Sequence, residues 1–172
     1  AHELFSEVVH RFPTDVAARH GKARCEDHLN QHGEAAADLT AALSALESSD
    51  PISARGVFMS FPRGARPLGL GETGYLHPRA ELSARMMLAL AQTGQTTEAL
   101  TLIDSFEDPD LAVAVAGILK VPRLPASPRI WLSLLTRALN AKPTLLARTQ
   151  RDEREVWVAE SARLSAQLAE DT

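Results

Sequence analysis

A single cysteine, Cys25, in 172 residues excludes an internal disulfide framework and fits a reducing, cytoplasmic compartment. Aromatic residues make up only 5% of the chain although 45% of it is hydrophobic, so the apolar content is mainly Ala and Leu. That mixture favours closely packed helices over sheets. Lysine is scarce too, confined to Lys22, Lys120 and Lys142. The arginine bias is what a GC-rich bacterial source would give. No apolar run approaches the ~20 residues that a membrane span needs, and no secretory signal opens the chain. A net charge of -4 provides no global basic field, so neither nucleic acid nor a membrane is the expected partner. The length suits one domain, residues 1–172, with a core of its own. The first residue is alanine, and the chain reads as part of a larger protein.

Helical punctuation is what the sequence does have. Residues 2–11 carry Leu4, Phe5, Val8 and Val9 on one helical face. Phe12-Pro13 breaks that helix, and Thr14 or Asp15 can cap another running to about His32. Gly33-Glu34 is the expected turn into a helix over 35–46, closed by Ser48-Ser49-Asp50-Pro51. Residues 78–106 form two amphipathic segments broken at Gly94, which suits a left-handed helix-ending residue, with Thr96 or Thr97 as the next cap. The segment Leu111 to Leu119 is apolar throughout; it can be read as a strand, but its helical flanks and its length favour a buried helix. Ser127-Pro128 supplies the cap and first-turn proline of a helix ending near Asn140. From Thr144 onward the chain is again expected to be helical, with Trp157, Ser161, Leu164 and Leu168 along one face.

Prolines 13, 51, 109 and 143 follow apolar helices at separations of 38, 58 and 34 residues. Removing the irregular stretch of ~24 residues after Pro51 brings the middle spacing near the 34 of a helix-turn-helix repeat. Residues 83–109 carry the best match. With Gly94 as the turn glycine, Met86, Met87 and Leu90 occupy the Leu, Gly and Tyr positions, and Ala99 and Ile103 the small and Phe positions. Ser83 stands in place of the Trp, Phe106 in place of a small residue, and Pro109 comes two residues early. Gly21-Lys22-Ala23 resembles the first-helix Gly-x-Ala, and residues 109–142 match by period and hydrophobicity. The chain thus resembles a divergent tetratricopeptide array. That resemblance implies an all-α solenoid of about eight helices, a right-handed superhelix that binds a protein or peptide in its concave groove. The groove positions it implies are Glu81, Ala84, Leu88, Ala91 and Gln92. The rival reading is a helical regulatory or substrate-recognition domain attached to an enzyme or transcription factor whose active part lies elsewhere.

Residues 52–77 lose the helical rhythm and hold five of the nine glycines. Residues 55–79 set Arg55, Arg63, Arg66 and Arg79 against Glu72, with Phe58, Phe61 and Tyr75 interleaved. Arginine and aromatic residues dominate interface hot spots. Arg63, Arg66 and Tyr75 are therefore contact candidates for an acidic partner. Gly69 to Gly74 spells GxGxxG, but the possible strand Val57–Phe61 stands seven residues away, no parallel partner strand follows, and His77-Pro78 starts the next helix too late for a dinucleotide site. Cys25, His28 and His32 fall at i, i+3 and i+7, so one helix would present three good zinc ligands. A fourth is wanting, and a polar stripe beside a buried cysteine is the plainer account. No nucleophile–base or paired-carboxylate arrangement stands out. Neither a cofactor, a metal nor catalysis is expected.

Overall fold

The computed structural model describes residues 1–48, 78–105, 110–119, 121, 127–142 and 154–170. These residues form eight α-helices and no strand: α1 His2–Arg11, α2 Val16–His28, α3 His32–Ser48, α4 Pro78–Gln92, α5 Thr96–Asp104, α6 Asp110–Ile118, α7 Pro128–Ala141 and α8 Arg154–Glu170. The all-α expectation holds. Successive helices pack on one another except α5 and α6; α4 additionally meets α6 and α7, and α5 meets α7.

Local chemistry explains most boundaries. Phe12 ends α1 with its N–H on the Val8 carbonyl (2.7 Å), and Pro13 then removes the donor that another turn would use. Asp15 caps α2, its carboxylate accepting from the Ala18 N–H at 2.8 Å. The turn into α3 lies three residues earlier than Gly33. Asn30 takes the left-handed conformation (φ 61°), which Asn tolerates better than most residues, and Gly33 sits inside the first turn of α3. Gly94 does the same between α4 and α5 at φ 82°, as its place in the sequence predicts. The cap there is Gln95 rather than Thr96 or Thr97, and no side chain bonds the free N–H groups. Ser127 caps α7 by position, with Pro128 at its start and also no side-chain bond.

The two turns share one geometry. The Gln31 N–H reaches the Glu26 carbonyl (2.9 Å) and the Gln95 N–H reaches that of Leu90 (3.0 Å). These are the six-to-one bonds of a Schellman closure. The next helices then begin alike, Ala35 N–H on Gln31 O and Ala99 N–H on Gln95 O. Ala35 and Ala99 are both wholly buried. α6 closes with the same bond, from the Val121 N–H to the Ala116 carbonyl at 2.9 Å.

Two clusters form the core. One joins α2, α3 and the near side of α4 through Val16, Ala23, Ala35, Leu39, Ala42, Ala45 and Leu82, with Met86 packed against it. The other holds Met87 and Leu88 of α4, Ile103 of α5, Leu111 and Val115 of α6, Trp131 and Leu135 of α7 and Leu164 of α8. α6 is buried at every position from Leu111 to Ala116, which is why its sequence shows no amphipathic period. α4 and α7 both pack on it.

Candidate functional site

The five groove positions of α4 do not line an open surface. Ala84, Leu88 and Ala91 lie in the larger core cluster at 0, 3 and 0% exposure. They recur at i, i+4 and i+7, an apolar stripe, and α6 and α7 pack where a groove would stay open. Gln92 is buried too, its amide donating to the Leu88 carbonyl at 3.3 Å, while its Oε1 has no partner among the described residues. Glu81 points the other way, toward α2. Arg63, Arg66 and Tyr75 lie outside the described residues, as does the GxGxxG run.

Cys25, His28 and His32 are not presented by one helix. α2 ends at His28, the Asn30 turn intervenes, and His32 begins α3. His32 Nδ1 instead lies 3.2 Å from Asp27 Oδ1, and His28 is exposed. Among the described residues no three His, Cys, Asp or Glu side chains gather closely enough to hold a metal ion.

What sequence reading missed is a polar seam along α2. Asp38 of α3, almost fully buried, accepts from Arg19 Nη1 at 2.6 Å and from Lys22 Nζ. Lys22 also lies 2.7 Å from Glu26 Oε1, and His2 of α1 approaches the same oxygen at 3.5 Å. Arg19 Nε donates to the Pro13 carbonyl at 2.6 Å, tying the α1–α2 link into the network. Burial works against the Lys22 ammonium, but Asp38 and Glu26 outweigh it and hold its pKa above the ordinary value. A second set joins α2 to α4. His20 Nε2 stands 3.8 Å from Glu81 Oε1, and Arg85 Nε donates to that oxygen at 2.8 Å. Burial pushes the His20 pKa below its usual value, the Glu81 carboxylate only partly opposing it. Glu81 is itself desolvated, yet His20 and Arg85 keep its pKa low, so the carboxylate is ionised. The spacing 19, 22, 26 marks this face of α2 as polar. Only the fold shows that α1 and α3 cover it. Most of these groups are paired with one another, although Glu26 Oε2 and His2 Nε2 make no hydrogen bond among the described residues; the arrangement suits holding helices in register better than turning over a substrate.

The other outstanding feature is α1. Phe5 and Val9 face α2 and are half-buried, and the Phe5 ring lies against Gly21. Leu4 and Val8, one turn apart, are 68 and 38% exposed, and Phe12, the non-helical residue that ends α1, is 56% exposed. A helix advances 100° per residue. The apolar arc from Leu4 round to Val9 is therefore wider than one neighbouring helix covers, and its outer half stays open. The row of charges beside it is Glu3, Glu7 and Arg11, all exposed and without ion-pair partners among the described residues. The sequence places Leu4, Phe5, Val8 and Val9 on one face, but periodicity gives the width of an arc and not the number of helices that cover it. No membrane-length apolar helix occurs among the described residues. Compared with family models, curated proteins and solved structures, the chain matches none.

Proposed function

We propose that the chain is a helical protein-binding module, tetratricopeptide-like in its succession of hairpins, that takes an amphipathic helix of its partner on the outer face of α1. The open stripe Leu4–Val8, continued by Phe12 just past the end of the helix, carries this reading: exposed apolar side chains aligned along one helix fit the groove of another. The matching closures at Asn30 and Gly94, each followed five residues on by a buried alanine, support the repeat reading. They also move its register: with Asn30 as the turn residue, Ala23 takes the position that Met87 takes in the second hairpin. The groove of α4 has no part in this proposal, since Ala84, Leu88 and Ala91 are in the core, Gln92 is buried and Glu81 faces α2.

The test is an NMR titration of the labelled chain with synthetic amphipathic helices bearing Leu or Phe at i, i+4 and i+8. Shifts should be concentrated in residues 3–12 and vanish in Val8→Glu, whose circular dichroism should match wild type because Val8 faces solvent. If the peptides shift nothing on α1, or shift the Val8→Glu protein equally, α1 is not the binding face.

A further inference from the structure

From the order of charges along α1 we infer that the helix seated on its open face is α1 of a second copy, antiparallel, related by a two-fold axis passing near Val8. This rests on the reading of α1 as the binding face and names its occupant. Around the helix, Glu3, Glu7 and Arg11 form one exposed row along one rim of the Leu4–Val8–Phe12 stripe. The row runs acid, acid, base from the N-terminal end. In a parallel two-fold pair the two rows fall on opposite sides of the contact, so Glu3, Glu7 and Arg11 gain no oppositely charged partner from the other chain's row. An antiparallel copy puts the two rows on the same side of the contact, with Glu3 near Arg11 of the other chain at both ends and Glu7 beside its counterpart at the axis, so two attractive contacts are set against one repulsive one. The same reversal places Leu4 across from Phe12, the two most exposed side chains of the stripe, while Val8 meets Val8 at the axis, where the smaller side chain lets the helices approach. A two-fold contact of this kind is isologous and closes on itself, so it gives a dimer and not a filament.

A ten-residue helix pair buries less than the ~1,200 Å² below which contacts are weak and transient. Association is therefore expected at high protein concentration only, with a dissociation constant on the order of 10⁻⁴ M at low salt.

Sedimentation equilibrium of the whole chain over a wide concentration range tests this. Wild type should rise from 18.6 kDa toward twice that mass, and Val8→Glu should stay monomeric. Glu3→Arg and Arg11→Glu should each weaken association by about tenfold, with added salt narrowing the difference. An equimolar mixture of those two variants should associate at least as well as wild type, because each arginine row then faces an acidic one. A wild-type chain that remains at 18.6 kDa throughout, or a mixture no better than either variant alone, overturns the antiparallel pairing. Peptide shifts on α1 in a chain that stays monomeric would sink the self-pairing and spare the binding face. Absence of both would sink the two together.

Discussion

Replacing Gly21 by alanine sets two opposed effects against each other at one atom. Gly21 lies inside α2, where alanine is the better helix former by about 0.8–1 kcal/mol. A Cβ built there would stand 2.5 Å from Cε1 and Cζ of Phe5 and 2.8 Å from Cδ1. Ordinary carbon contacts begin near ~3.5 Å, so the ring or the whole of α1 must retreat by about 1 Å. Backing a packed side chain out of its seat costs roughly 1–3 kcal/mol. The half-buried position of Phe5 at the edge of the core keeps the cost near the middle of that range. Gly21→Ala should therefore destabilise by about 0.5–1.5 kcal/mol, the clash exceeding the propensity gain. In a Phe5→Ala background the clash is gone, and the same change should stabilise by about 1 kcal/mol. The sign reversal is the measurement. Urea unfolding of the four proteins, followed by far-UV circular dichroism, should give a coupling of about 1.5–2.5 kcal/mol between the two sites. If Gly21→Ala stabilises wild type as much as it does the Phe5→Ala chain, α1 does not rest on α2 through this contact.

Two further outcomes concern the polar seam. Lys22→Met leaves Asp38 with Arg19 alone and Glu26 facing only His2, so it should cost about 1–3 kcal/mol in urea unfolding; a loss under a few tenths would mean solvent screens the seam. For His20, the folded pKa lies below the ordinary 6.5, so the folded chain binds fewer protons than the unfolded one. Its contribution is intact above pH 6.5 and is lost as pH falls through the depressed folded value; Glu81, likewise depressed from 4.5, adds a further loss below that. Melting temperature should fall as pH drops from 7 to 5, and His20→Gln should flatten that slope; an unchanged slope would refute the assignment.

Helix identity was a local matter, and the sequence carried it. Pro13, Gly94 and Ser127-Pro128 act through their own backbone angles and missing or satisfied donors, so the breaks beside them fall where composition places them. The choice of helix over strand for Leu111–Leu119 followed from its flanks. Asn30 was harder to read, because asparagine enters the left-handed region less obviously than the nearby Gly33, and the turn was drawn to the glycine. Tertiary structure alone decided which apolar faces are covered. α4 reads as an ordinary amphipathic helix, yet α3 covers one side of it while α6 and α7 cover another, so Ala84, Leu88 and Ala91 are core. α1 reads the same way and has half its apolar arc in water. Periodicity records how wide a face is along one helix; whether that face is buried depends on helices arriving from distant parts of the chain. The ion network of Arg19, Lys22, Glu26 and Asp38 has the same origin, since Asp38 comes from a different helix and enters only when α3 folds back on α2.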